Sequence, residues 1–224
     1  MPTPYPENTR IKNRLPVARE GFPFIFFSVA ATLFSFYMGV VFLTVLFGMI
    51  SLFTIFFFRD PERENDSHQK AILTPADGRI LDISHIKDSN NPLNEPAIKV
   101  SIFMSIFNVH VNRVPITGRI SKIIYNSGAF FSANLDKASS QNENNRITLE
   151  TVDGRKIVFI QIAGIIARRI ACWINEGDEV NAGQRFGLIR FGSRLDIYLP
   201  EDSHIIAKLH YKVRAGRTIL GYLS

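Results

Sequence analysis

The chain has one cysteine, Cys172, among its 224 residues, which excludes an internal disulfide and every Cys-rich metal site. A reducing compartment is expected, with Cys172 as a small buried residue beside Trp173. Charge is missing as well: from Gly21 to Phe58 there is no Asp, Glu, Lys, Arg or His, and most of the 19 phenylalanines sit in that run. A run so long and uncharged is out of place in a soluble core and belongs in lipid. As one helix it would reach roughly 57 Å, nearly twice the ~30 Å hydrocarbon thickness. Two short helices meeting near Tyr37-Met38-Gly39 fit better, as a spanning hairpin or as a re-entrant one in a single leaflet. No small-residue cleavage site follows the run, so a removed signal peptide is not expected.

Basic residues lie on both sides of the run, Arg10, Lys12, Arg14 and Arg19 before it and Arg59, Arg63 and Lys70 after it. The positive-inside rule then puts both ends in the cytoplasm. The expected location is the cell (inner) membrane, with the polar part on its cytoplasmic side. The net charge of +6 is scattered, without the basic clusters and interleaved aromatics of a nucleic-acid surface. Attraction to an anionic membrane accounts for it, and no nucleic-acid partner is expected.

Past Phe58 no helical period is sustained. Arg79–Ile83, Ile98–Phe103, Arg119–Ile124, Arg146–Glu150 and Lys156–Ile160 are short, β-branched and mostly alternating, and read as strands. Asp77-Gly78, Thr117-Gly118, Asn126-Ser127-Gly128, Asp153-Gly154 and Glu176-Gly177-Asp178 supply the turns. The Asn-, Ser- and Gln-rich stretch from Leu135 to Asn145 reads as an exposed loop. The expected fold is mainly β, a compact sheet or barrel-like catalytic domain behind an N-terminal apolar helical hairpin. Three parts result: a basic tail at 1–20, the membrane-anchoring hairpin at 21–58 and the β-rich domain at 59–224.

Four motifs carry chemistry. In Arg190-Phe191-Gly192-Ser193-Arg194-Leu195-Asp196, a serine hydroxyl can attack the carbonyl of Gly192, whose missing side chain leaves the approach open. The resulting ester can eliminate to dehydroalanine, which hydrolyses to a pyruvoyl group and ammonia. A ketone of that kind can form a Schiff base with an amine and accept electrons from an α-carbon, the requirement for decarboxylating an amino acid. In Asn108-Val109-His110-Val111-Asn112, strand alternation would put Asn108, His110 and Asn112 on one face, a setting for proton transfer. Asp77, in Thr74-Pro75-Ala76-Asp77-Gly78, is either a turn residue or the carboxylate that orients a base. Phe57-Phe58-Arg59-Asp60-Pro61-Glu62-Arg63 marks the exit from lipid, since Pro61 cannot continue a helix.

In this order and spacing the four motifs resemble the short prokaryotic, pyruvoyl-dependent form of phosphatidylserine decarboxylase proenzyme, over nearly the whole chain. The resemblance implies self-cleavage between Gly192 and Ser193 into a β chain, 1–192, and an α chain, 193–224, which remain partners. A homo-oligomer is compatible with it. The cofactor implied is a covalent pyruvoyl group derived from Ser193, the substrate phosphatidylserine in the membrane, and the products phosphatidylethanolamine and CO2. Ser193, His110 and Asp77 are the implied catalytic residues, and no metal is implied.

One position departs from the family pattern. Longer members carry His-x-x-His in the third motif, whereas the second histidine is Arg113 here. Arginine is a poor general base. Either His110 serves both self-cleavage and decarboxylation, or another group activates Ser193. The alternative class is a non-catalytic, membrane-tethered biotinyl- or lipoyl-like β-barrel carrier or adaptor, suggested by Glu176-Gly177-Asp178 and by Asp136-Lys137-Ala138. Lys137 precedes that turn, the reverse of the order in lipoyl domains. A zinc peptidase would need the His-x-His pair that the chain lacks.

Overall fold

The computed structural model describes residues 16–64, 70–128, 142–164, 169–190 and 193–224. Two compact units are present, one at Asn13–Glu62 and one containing Arg63–Ser224.

In the first unit, a turn of 3-10 helix at Arg19–Gly21 leads into helix α1, Phe22–Tyr37, with proline in its first turn where no amide partner is needed. Helix α2 spans Val41–Phe57. The reversal between them is made at Gly39, whose φ of 71° is left-handed. The helices pack along Thr32 and Ser51, whose hydroxyls lie 3.3 Å apart. Each hydroxyl also donates back along its own helix, Thr32 to Ser28 O at 2.8 Å and Ser51 to Phe47 O at 2.9 Å, so the polar atoms are satisfied without water. Phe26, Phe27, Phe34, Phe36, Phe42 and Leu52 face outward. The stretch Arg19–Tyr37 is long and apolar enough to cross a membrane, and α2 is shorter.

Among its described residues the second unit is all β. Its strands are β1 Ala71–Leu73, β2 Gly78–Ile86, β3 Ala97–Met104, β4 Val111–Arg113, β5 Gly118–Asn126, β6 Asn144–Glu150 and β7 Lys156–Ala163. After them come β8 Ile170–Cys172, β9 Glu179–Val180, β10 Arg185–Ile189, β11 Ser193–Pro200, β12 His204–Ile205, β13 Lys212–Val213 and β14 Ile219–Tyr222. The five strands expected from alternation are β2, β3, β5, β6 and β7. A curled eight-stranded sheet runs β13-β2-β3-β11-β7-β6-β5-β9, with three-stranded sheets β1-β14-β12 and β4-β10-β8 beside it. Strand β11 lies at the centre, antiparallel to β3 and β7, with Ser193 opposite both Met104 and Ala163. One face of the large sheet packs Ile80, Ile102, Phe159, Leu195 and Ile197 into the main core. The other face of β7 and β11 is also covered, by a second cluster around Leu93, Ile160, Ile162 and Tyr198.

The unit is built twice on one plan. Thr74-Pro75-Ala76-Asp77-Gly78-Arg79-Ile80 leads into β2, and Val114-Pro115-Ile116-Thr117-Gly118-Arg119-Ile120 leads into β5. Both strands carry a bulge after the isoleucine, at Ile80/Asp82 and at Ile120/Lys122. Ile80 exchanges backbone hydrogen bonds with Tyr211 and His210, and Ile120 does the same with Asp178 and Gly177. Gly216 N donates to Thr74 O as Gly183 N donates to Val114 O. A Cβ on Gly78 would run into the carbonyl of Phe103, and one on Gly118 into that of Glu150, so close approach selects glycine at the same place in each half.

Three expectations are corrected. Residues 129–141 lie outside the described residues, but Asn142 to Asn145 are buried, at the start of β6, where their amides bond across the sheet; the Asn-rich end of the stretch is not a loop. Asn108, His110 and Asn112 do not share a strand face. Asn108 Oδ1 accepts from the amide and hydroxyl of Ser105 and closes a turn, so the strand begins only at Val111. Cys172 is exposed, because it ends the short strand β8.

Candidate functional site

Ser193 opens β11 and is wholly buried. Its hydroxyl donates to Met104 Sδ at 3.3 Å, a contact fixed by the register that sets Ser193 against Met104. A thioether is a weak acceptor, so it orients the hydroxyl while leaving the proton available to a stronger base. The same sulfur receives Asn112 Nδ2 at 3.6 Å. Asn112 Oδ1 accepts Gln161 Nε2 at 2.9 Å, and Gln161 Oε1 accepts Asn145 Nδ2 at 3.0 Å. A buried polar chain thus runs from Ser193 through β3, β4 and β7 to β6. Gly192, the other half of the expected cleavage site, lies outside the described residues, as does Lys137.

His110 sits between the Ser105–Asn108 turn and β4, wholly buried. Its Nδ1 is 2.9 Å from Asn108 O. A carbonyl can only accept, so Nδ1 carries the hydrogen and Nε2 of the neutral ring holds the lone pair. Asn108 therefore selects the tautomer in which Nε2 is the base.

Asp77 is placed differently. Arg63 grips its carboxylate with two parallel bonds, Nη1 to Oδ1 at 2.5 Å and Nη2 to Oδ2 at 2.9 Å. Ala215 N adds a third bond to Oδ1 at 2.7 Å. Among the described residues no hydrogen bond joins Asp77 to His110 or to Ser193. The duplication explains the arrangement: Thr117, at the corresponding position, accepts from Ala182 N with its hydroxyl at 3.1 Å. The turn that holds Asp77 meets the strand after His110 through backbone, where Pro75 O accepts the amide of Arg113 at the end of β4. Arg113 itself, the expected departure from the family pattern, is buried and donates Nη1 to Gly183 O at 2.9 Å.

Beyond Ser193, β11 carries a buried ion pair on the sheet's other face. Arg194 Nε meets Asp196 Oδ1 at 2.6 Å, and Arg194 Nη2 reaches Ser101 Oγ at 2.9 Å. Burial, with the charge of Asp196 beside it, pushes the Tyr198 phenol up to about 12. Tyr125 also rises to about 12, chiefly because its hydroxyl donates to Glu143 at 2.7 Å. Among the described residues no three His, Cys, Asp or Glu side chains cluster as metal ligands. Sequence reasoning missed Met104, Gln161, Asn145 and Arg63. Only Gln161 left a signal, as the one amide in the apolar run of β7.

A family model described as phosphatidylserine decarboxylase matches residues 50–221, from the end of the apolar run through Ser193 to the last strand. The chain belongs to the phosphatidylserine decarboxylase family. It is 48% identical over 213 residues to the phosphatidylserine decarboxylase proenzyme of Desulfotalea psychrophila, covering 95% of this chain and 99% of that one. The proenzyme of the same name from Syntrophus aciditrophicus is 50% identical over 206 residues, 92% of this chain and 96% of its own. That of Magnetococcus marinus is 49% identical over 213 residues, with 93% and 95% covered. The alignments span the helical hairpin as well as the β unit, so the chain is similar over nearly its whole length to relatives named as proenzymes.

Proposed function

We propose that the chain cuts itself between Gly192 and Ser193 and then decarboxylates phosphatidylserine to phosphatidylethanolamine and CO2. The observation that carries this reading is the burial of Ser193 at the head of a central strand, its hydroxyl held, among the described residues, by the sulfur of Met104, in a chain of this family. His110 Nε2 takes the Ser193 proton as Oγ bonds to the Gly192 carbonyl carbon and passes it to the Ser193 nitrogen as the peptide C–N bond breaks, leaving an ester and a free amine. Loss of the Ser193 α-proton and cleavage of the Cβ–Oγ bond then release 1–192 as a carboxylate. Water replaces the nitrogen of the resulting dehydroalanine, and ammonia departs.

The surroundings of Ser193 fit the pyruvoyl group this would make, since its register partners Met104 and Ala163 bring no amine or carboxylate to compete for a ketone. When present, that group supplies an electrophile for the substrate amine and an electron sink for the departing carboxylate. His110 then returns a proton to the substrate carbon that lost CO2, a role worth typically about 10²- to 10⁴-fold in rate. Asp77 is a positioning residue that fixes the Thr74–Gly78 turn against β4. The α chain, 193–224, stays with the β chain because β11 is hydrogen-bonded between β3 and β7.

The outward-facing apolar residues of α1 and α2 support membrane attachment, with both flanks on the cytoplasmic side, where a two-chain lipid reaches the enzyme without leaving the bilayer. Purified protein given phosphatidylserine in mixed micelles should release CO2 and form phosphatidylethanolamine. Turnover by the Ser193→Ala variant at the same rate would contradict the proposal.

A further inference from the structure

The duplication gives the two halves equivalent edge turns with opposite surfaces. In one half the turn is Asn175-Glu176-Gly177-Asp178-Glu179; in the other it is Lys208-Leu209-His210-Tyr211-Lys212, closed by the same backbone bonds. The position with left-handed backbone, Gly177 at φ 88°, is matched by His210 at φ 65°. Because one backbone accepts both sequences, the fold does not require the cations or the apolar side chains of the second turn. Glu176 and Asp178 work locally, accepting the amides of Ile123 and Asn175. Leu209 and Tyr211, at their places, are instead about half exposed, at 49% and 53%, with Ile206 beside them at 43%. These are half of the large apolar side chains exposed in the described part of the β unit.

Charge points the same way. Arg119 lies directly across from Glu179, but Arg79 lies directly across from Lys212. Like charges facing across strands repel, and a surface that keeps such a pair exposed is suited to an external anion. Lys208, Arg214 and Arg217 are exposed nearby, and among the described residues none of these five cations forms an ion pair with a carboxylate. From Ser203 to Ser224 there is no Asp or Glu.

We infer that the edge of the β unit from Ile206 to Arg217, with Arg79, docks on an anionic lipid bilayer. The inference rests on the membrane attachment proposed above. Lys and Arg reach the head groups while Ile206, Leu209 and the Tyr211 ring enter the interface, a mixture that suits a bilayer better than a nucleic-acid backbone. The surface lies wholly in the α chain apart from Arg79, so the piece that begins at Ser193 would also hold the domain to its substrate's membrane.

The test uses the full-length protein with Cys172→Ser and a fluorophore on Leu209→Cys, reconstituted into nanodiscs. Quenching of the label by neutral, water-soluble acrylamide should fall several-fold when phosphatidylglycerol is mixed into phosphatidylcholine. A label on Glu176→Cys, at the equivalent turn, should be quenched equally in both. Lys208→Gln with Lys212→Gln should restore quenching at 209, as should 1 M salt, which shortens the screening length from ~8 Å to ~3 Å. Equal quenching at 209 in both kinds of disc would overturn the inference. So would protection by duplex DNA without protection by phosphatidylglycerol, which would assign the surface to nucleic acid. Phosphatidylglycerol is not the proposed substrate, so a protein that docks in this way yet releases no CO2 from phosphatidylserine would refute the proposed activity and leave the surface intact.

Discussion

Arg63 and Asp77 form a bidentate ion pair in which each guanidinium nitrogen meets its own carboxylate oxygen, and both side chains are nearly inaccessible to solvent. The pair ties the first residue of the β unit to the turn that opens β2. A third Arg63 bond, from Nη1 to Ala215 O at 2.6 Å, closes the arrangement onto the segment after β13.

Removing one partner leaves the other charged and buried, which typically costs about 3–5 kcal/mol. Asp77→Ala and Arg63→Ala should therefore destabilise the protein to similar extents in urea melts, and the double variant should lose much less than the sum. A large loss for Asp77→Ala with none for Arg63→Ala would place Asp77 outside this pair energetically.

His110 is the base for which the structure supplies a tautomer, and Arg113 is committed to the Gly183 carbonyl. His110→Ala should accumulate uncut chain on a denaturing gel, in protein that loses some stability but still unfolds cooperatively in urea. A variant that is both fully processed and fully active would remove His110 from both steps.

The amide chain behind Ser193 should matter energetically. Gln161→Leu leaves the buried Asn112 Oδ1 and Asn145 Nδ2 without these partners, at about 1–3 kcal/mol each. Urea titration should show a fall of that order, and loss of the anchor for Asn112 beside Met104 should slow appearance of the α chain. Unchanged stability and processing would contradict the chain's role.

Tyr125 and Tyr198 are both raised from 10.0 to about 12. The folded protein keeps these protons where the unfolded chain has lost them. Their stabilisation is thus complete below about pH 10 and fades as pH rises toward 12. Tyr198→Phe should flatten part of the alkaline stability loss, read from urea midpoints across that window; an identical slope would contradict the shift.

Much of this was legible in the sequence, and the exceptions have physical causes. An uncharged run announces the two apolar helices, and alternation announces β2, β3, β5, β6 and β7. Ser193 stood out as a candidate because the chemistry proposed for it depends on a dipeptide, while its burial against Met104 did not show in the sequence. His110 was a candidate in the sequence, but its geometry was not legible: Ser105 donates its amide and hydroxyl to Asn108 Oδ1, closing a turn where alternation implied a strand. Asp77 was ambiguous because a turn residue and a catalytic carboxylate look alike in Pro-Ala-Asp-Gly; its partner Arg63 comes from another motif, brought close only by folding. Met104, Gln161 and Asn145 meet through register across the sheets, which local sequence does not encode. The duplication left a visible trace in Pro75-Ala76-Asp77-Gly78-Arg79-Ile80 and Pro115-Ile116-Thr117-Gly118-Arg119-Ile120, but only four of the six positions agree, and its structural sense came from the paired turns.

The central claim, that Ser193 cuts the chain before it and becomes the new terminus, is tested most directly by intact mass spectrometry of the denatured protein. Two chains are predicted, 1–192 and 193–224, the second lacking a free amine and shifted in mass by carbonyl reagents. Ser193→Ala is predicted to give one full-length mass. A full-length mass for parent protein that decarboxylates phosphatidylserine would contradict the account.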